Sequence, residues 1–218
     1  TMTQFSTPLG EIKVTPLFHA TVLIEFNGKY IYVDPALAYA TPNFDASKSP
    51  KADLICITHD HHDHLDLDFI QNIRKPDTFI VSSKTCAEKL NNINKTLSPG
   101  ESAEWQNIKI EAVYAYNIEH LRSPGNPFHP KGYGNGYIFN FGTFRLYVPG
   151  DTEVIPEMKN FGHIDVAFLP LMLPYTMDEN MIIAAAKDIK PATLIIYHYR
   201  ENIDKAAFQS KLPGIQVL

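Results

Sequence analysis

The 218-residue chain is poor in cysteine, in basic residues and in long apolar runs. Its two cysteines, Cys56 and Cys86, are too few for a disulfide framework or a thiolate zinc site. Both lie in apolar surroundings and read as buried free thiols. Lys and Arg total 19 against 24 Asp and Glu, for a net charge of -5. Without a basic block, nothing draws the chain to nucleic acid or to an anionic membrane surface. The longest apolar run, Val166 to Leu173, is far short of the roughly 20 residues that span a bilayer, so stable membrane insertion is not expected. No internal repeat or linker interrupts the chain, and its length suits a single domain, residues 1–218. The opening residues do not read as a signal peptide. The expected compartment is cytoplasmic or, if a leader was trimmed, periplasmic or exported; oligomeric state is not legible.

What is abundant is imidazole in one place. Thr58-His59-Asp60-His61-His62-Asp63-His64-Leu65-Asp66 holds the spacing H-x-H-x-D-H. Imidazole suits Zn, Fe, Mn and Ni, and a carboxylate beside it makes a mixed donor set. In an extended segment, residues two apart point the same way, so His59 and His61 share a face and His62 points elsewhere. Asp63 and His64 fall where a helix begins and can face the same centre from another side. That geometry can hold two metals.

The flanking pattern places the cluster. Alternation predicts strands over 12–17, 21–26 and 30–33, the last two joined by Asn27-Gly28-Lys29 as a hairpin. Residues 36–53 read as loop. Leu54-Ile55-Cys56-Ile57 reads as a buried strand, with the cluster at its carboxyl end, where sites gather in α/β sheets. A helix is expected over 66–74, a strand over 78–82, a helix from Lys84 to about Ile93 and a strand over 108–114. Residues 117–135 are a Pro- and Gly-rich loop long enough to suggest function. Strands over 136–141 and 143–148 turn around Gly142, and 165–169 is another. Thr176-Met177-Asp178-Glu179 reads as a capping box opening a helix to about Ile189. A strand over 193–197, a helix over about 204–212 and a short last strand close the chain. Two packed sheets with helices outside are expected. Asp151 and His198 each follow an apolar strand and are candidates for the missing ligands.

In these residues the chain resembles the metallo-β-lactamase superfamily of metal-dependent hydrolases: Asp34 after an early strand, His59-x-His61-x-Asp63-His64, Gly150-Asp151 and the late His198. Ala115-Tyr116-Asn117, Phe128-His129-Pro130-Lys131-Gly132, Gly150-Asp151-Thr152-Glu153, Ile155-Pro156-Glu157-Met158 and Tyr175-Thr176-Met177 are similar to a prokaryotic branch of lactonase-like and phospholipase-D-like proteins. The resemblance implies a four-layer αββα sandwich. It implies one metal on His59, His61 and a third His, a second on Asp63, His64 and His198, and Asp151 between them. A hydroxide between the ions would attack a carbonyl or phosphoryl centre, with Asp63 and Asp151 as the catalytic carboxylates and Asp63 also handling the proton of the attacking water. Asp34 would orient a ligand imidazole. Many members carry the third His where this chain has Asn117. The shared segment favours His129; His120 takes the role if the loop folds differently.

The implied reaction is hydrolysis of a phosphodiester or lactone-type ester in a small molecule, with or without a phosphate group. The implied cofactor is two divalent ions, zinc first and manganese second. Lys131 and Arg200 would hold an anionic group, and Tyr175 would wall the pocket; the alternative for the cations is an ordinary solvated surface. His19 lines the cleft or is structural, and His163 reads as a turn residue. Two rival classes are a di-iron oxidoreductase on the same fold and a non-catalytic metal-binding protein. A nuclease lacks the basic stripe it would need.

Overall fold

A computed structural model describes all of residues 1–218. Two seven-stranded sheets dominate it. The first contains β1 (Thr3–Thr7), β2 (Gly10–Phe18), β3 (Thr21–Phe26), β4 (Lys29–Val33), β5 (Ala52–Ile57), β6 (Arg74–Ser83) and β7 (Lys95–Leu97), in chain order across the sheet. Its first four strands are antiparallel and its last four parallel. Helix α1 (Leu67–Ile73) makes the crossover from β5 to β6.

The second sheet begins with β8 (Ser102–Trp105) and β9 (Ile108–Ala115). A small separate hairpin, β10 (Leu121–Ser123) and β11 (Asn126–Pro127), interrupts it. It resumes with β12 (Gly134–Phe141), β13 (Phe144–Val148), β14 (Val166–Pro170), β15 (Thr193–Tyr197) and β16 (Gln216–Val217). Helices α2 (Glu179–Ile189) and α3 (Lys205–Lys211) belong to this half.

Burial explains the layers. Strand β5 is apolar on both faces because both are covered. Leu54 and Cys56 enter the core between the sheets, whereas Ile55 and Ile57 meet Phe69, Ile70 and Ile73 of α1. A third cluster joins the outer face of the second sheet (Ile138, Tyr147, Leu194, Ile196) to Ile182, Ala185, Ala186 and Ile189 of α2 and Phe208 of α3. Three cores between four layers make an αββα sandwich, as the resemblance implies.

The Asn27-Gly28 turn is a two-residue hairpin with both residues at positive φ (50° and 71°), the conformation that twists with its strands. Two expectations need correction. Lys84 to Ile93 is no α-helix: Lys84–Cys86 is a single 3-10 turn, followed by turns. Cys86 and Leu90 are buried at helical spacing, but Asn92 in the left-handed region (φ 59°) leads the chain into β7. The helix read from Thr176 starts two residues later. Asp178 is the N-cap and accepts from the Met181 amide. Thr176 is buried and donates its hydroxyl to the Met172 carbonyl at 3.1 Å.

The sheets are tied together where the chain leaves their strands. The Asn135 amide donates to the Thr58 carbonyl at 2.8 Å, and the His198 amide to the His19 carbonyl at 2.8 Å. The approach leaves no room at Gly150. A Cβ there would stand 2.7 Å from the Asn135 carbonyl oxygen and 3.0 Å from Thr58 Cβ, on a backbone with φ +66°. Gly28, at φ +71°, faces open space. Gly150→Ala should therefore cost more than the roughly 1–3 kcal/mol of a strained backbone alone, and clearly more than Gly28→Ala. Chemical denaturation of the two variants checks this; equal losses would mean that the close approach is not constraining.

Candidate metal centre

Six strands of the two sheets end at the same edge of the sandwich, and each hands a polar residue to it. From the first sheet come His19 after β2, Asp34 after β4, and His59, His61, Asp63 and His64 after β5. From the second come Asn117 after β9, Asp151 after β13 and His198 after β15, with His129 from the segment between β9 and β12. His19, Asp34 and His198 all sit at positive φ (51°, 49° and 59°), a conformation that costs non-glycine residues energy and is retained where surrounding structure enforces it.

Asp151 is buried between two groups of imidazoles. Its Oδ1 is 3.0 Å from His64 Nε2 and 3.0 Å from His198 Nε2. Its Oδ2 is 3.1 Å from His129 Nε2 and 3.6 Å from His59 Nε2. His61 completes the set of His59, His129 and Asp151, whose donor atoms all lie within 4.8 Å of one another. On the other side, Asp63 Oδ2 is 3.5 Å from His64 Nε2 and 3.7 Å from His198 Nε2. His19 joins this second group: its Nε2 is 2.8 Å from Asp63 Oδ2.

Apart from the His19–Asp63 hydrogen bond, these atoms crowd with few bonds among them. His59 Nε2, His64 Nε2, His198 Nε2 and Asp151 Oδ1 are buried and have no hydrogen-bond partner. Orphaned buried polar atoms are costly and call for an explanation. Donors about 2.0–2.1 Å from a shared tetrahedral ion stand about 3.3 Å apart, close to the separations seen here. In three of the rings the opposite nitrogen is held by protein. His64 Nδ1 meets Asp34 Oδ2 at 2.6 Å, His129 Nδ1 meets Asn117 Oδ1 at 2.7 Å, and His59 Nδ1 meets Thr58 Oγ1 at 2.8 Å. Asp34 also accepts from the Thr58 amide and hydroxyl at 2.7 and 2.6 Å. Such outer bonds fix ring orientation and leave Nε2 for a metal, so the residues present fit a metal centre.

The electrostatics agree. Burial, reinforced by the nearby His64, lowers His59 to a pKa of about 3, so its imidazole is neutral, the form that binds metal. Burial opposes ionisation of Asp151, but His198, His64 and His129 hold its carboxyl well below the usual range. Burial likewise works against Asp63, and the His19 contact with the imidazoles beyond it outweighs that.

Of the two imidazoles open for the first group, the structure brings in His129 and not His120. His120 Nδ1 is held by Glu153 Oε2 at 2.9 Å. Asn117 holds His129: its Oδ1 accepts from both the amide and the ring of that residue. His62 is exposed, and His163 sits on the surface beside Asp165. Tyr175 and Arg200 line the cleft over the centre. Lys131 does not, which corrects the expectation for it. Its ammonium pairs with Glu157 at 3.3 Å and lies over the rings of Tyr114 and Tyr116. Sequence reasoning missed Glu153, Thr58 and Arg122, and left His19 undecided. Glu153 follows Asp151 by two residues, a proximity that could have drawn attention to it; Arg122 carries no sequence signal.

A two-sheet sandwich that pools imidazoles and carboxylates at its strand ends is the frame of a metal-dependent hydrolase. The profile of the beta-lactamase superfamily domain matches residues 13–198, and the chain belongs to that family as one of its metal-dependent hydrolases. It is 30% identical to a UPF0173 metal-dependent hydrolase of Bacillus cereus over 86% of each chain. The crystal structure of a candidate metal-dependent hydrolase from Parabacteroides distasonis superposes with a TM-score of 0.90 at 38% identity, covering 100% of this chain and 97% of that one. Igni18, a metallo hydrolase from Ignicoccus hospitalis, shares the fold with a TM-score of 0.77 at 24% identity, covering 95% and 94%.

Glu153 holds the loop that carries Asn117. It accepts from the amides of Ile118, Glu119 and His120 at 2.9, 2.7 and 2.8 Å and from Asn117 Nδ2 at 3.0 Å. Burial opposes its ionisation, but these donors hold its pKa below the ordinary 4.5. A carboxyl depressed by folding adds stability that is complete above its unfolded pKa and lost as pH falls through the folded one. Glu153→Gln should cost about 1.5–3 kcal/mol at neutral pH and lose less than the wild type on acidification below about pH 4.5. Parallel stability–pH curves for the two proteins would contradict this role.

Proposed function

We propose that the centre holds two divalent ions, zinc first and manganese second, and that the enzyme cleaves a phosphodiester or lactone-type ester of a small molecule. The observation that carries the reading is that the orphaned nitrogens of His64 and His198 face one oxygen of the buried Asp151 carboxylate and that of His59 faces the other. His59, His61 and His129 would hold one ion, Asp63, His64 and His198 the other, and Asp151 would be shared. Nitrogen and oxygen donors without thiolate suit zinc and leave manganese open. Divalent ions there would polarise a carbonyl or phosphoryl oxygen and bring the pKa of water near 7.

The protein supplies the rest. Asp34, Thr58 and Asn117 fix the rings. His19 donates from Nε2 to Asp63 Oδ2, because an ionised carboxylate only accepts. That contact fixes the orientation of Asp63 in the cleft and leaves Oδ1 to take a proton from the attacking water. Phe128, Met172 and Tyr175 line the cleft above the centre and give it apolar surface. The substrate preference follows from the resemblance to lactonase-like and phospholipase-D-like proteins; the centre itself suits either a carbonyl or a phosphoryl group.

Purified protein should carry about two divalent ions per chain by elemental analysis. His61→Ala and Asp151→Ala should lose metal and abolish hydrolysis in a screen of phosphodiesters, lactones and thioesters, with the fold retained by circular dichroism. His129→Ala should lose one ion, and His120→Ala neither. Folded protein with no affinity for zinc or manganese would overturn the reading, and a reversed result for the two histidines would overturn the assignment of the first ion.

A further inference from the structure

The cleft above the centre, about 510 Å³ in volume, carries three cations: Lys89, Arg122 and Arg200. The charge of Lys89 is matched, since its Nζ is 2.8 Å from Asp60 Oδ2. The two arginines differ. Neither makes an ion pair or a side-chain hydrogen bond, and both are exposed at the rim. Each guanidinium lies on an aromatic ring instead: Arg200 Cζ is 4.0 Å from the centroid of Tyr39, and Arg122 Cζ 4.9 Å from that of Phe128. The chain's other two arginines are both engaged: Arg145 pairs with Glu111, and Arg74 donates to the Asn91 and Asn92 carbonyls. Two unmatched guanidiniums in one cleft depart from that pattern.

Their placement is ordered. Arg200 lies two residues past His198, at the outer end of a stack that runs inward. Tyr39 is 4.5 Å from the ring of His19, which is 3.9 Å from the ring of His198. Arg122 comes from a different part of the chain, on β10, and its platform Phe128 packs edge-on against Tyr175 at 5.0 Å. A guanidinium lying on a ring keeps its N–H edges free, and that fork matches the oxygens of a phosphoryl or carboxylate group.

We propose that Arg122 and Arg200 form an oxyanion clamp at the rim of the cleft. The substrate then carries a phosphoryl or carboxylate group separate from the bond that is cleaved, on an apolar body that lies against Phe128 and Tyr175. This rests on the reading of the buried centre as hydrolytic, and it narrows the substrate class to anionic esters and lactones. It also replaces Lys131 by Arg122 as the partner of Arg200.

The test is calorimetric titration of metal-loaded protein with phenylphosphonate and with benzoate, two non-hydrolysable anions on a flat apolar body. Wild type should bind at least one. Arg122→Ala combined with Arg200→Ala should weaken the preferred anion about 10- to 100-fold, with metal content and melting temperature unchanged, and the corresponding double Lys variant should recover part of the loss. A preference for phosphonate identifies the clamped group as phosphoryl, and a preference for benzoate identifies it as carboxylate; either supports the clamp. Wild-type affinity in the double Ala variant, or no binding of either anion by the wild type, would overturn it. Ester hydrolysis separates the two readings. If wild type hydrolyses esters but the double Ala variant treats anionic and neutral esters with an unchanged ratio of kcat/KM, the clamp fails and the hydrolase stands. If metal-loaded wild type hydrolyses none, the hydrolytic reading fails while the titration still decides the clamp.

Discussion

One buried carboxylate sets the terms for the rest of the molecule. Asp151 faces His64 and His198 with one oxygen and His129 and His59 with the other. Those imidazoles come from both sheets and from the loop between β9 and β12. An ionised carboxylate out of water is tolerable only when charge or hydrogen bonds surround it. The strand ends must therefore converge on it within a few tenths of an ångström. Gly150 permits that convergence, because any side chain there would meet Asn135 and Thr58. The inter-sheet core supplies the force that holds the two halves together, and the backbone bonds from Asn135 to Thr58 and from His198 to His19 fix their register at the edge.

Around this carboxylate lies a second ring of groups that never face the cleft directly. Asp34 holds His64, Thr58 holds His59, and Asn117 holds His129. Glu153 in turn holds Asn117 and the amides that follow it. Asn117 acts as a support, and the imidazole it orients arrives from twelve residues on. The cost is a loop to order, and Glu153 offsets it with a set of charge-assisted hydrogen bonds.

Much of this was legible in the sequence, for local reasons. The spacing from His59 to His64 is a property of six consecutive residues, and the apolar run before it marks a strand end. Asp151 and His198 follow equally clear strands. The Asn27-Gly28 hairpin is written in two residues whose conformational preference is intrinsic. Features set by tertiary contact were harder to read. The Cys86–Leu90 spacing looks helical, yet the segment forms only a 3-10 turn and further turns before Asn92 at positive φ leads it into β7. Thr176 resembles a cap but is drawn to the Met172 carbonyl, leaving Asp178 to start α2. Lys131 lies beside a ligand in sequence and turns away from it in space, towards Glu157. Arg122 is an exposed residue of the small β10–β11 hairpin, and only the folded chain brings it over the same cleft as Arg200.

The central claim is that the two imidazole groups about Asp151 are two metal sites. Anomalous diffraction from crystals of the zinc-loaded protein, recorded on both sides of the zinc absorption edge, tests it most directly. The account predicts two peaks flanking Asp151, one among His59, His61 and His129 and the other among Asp63, His64 and His198. A single peak, or none at this edge of the sandwich, would contradict it.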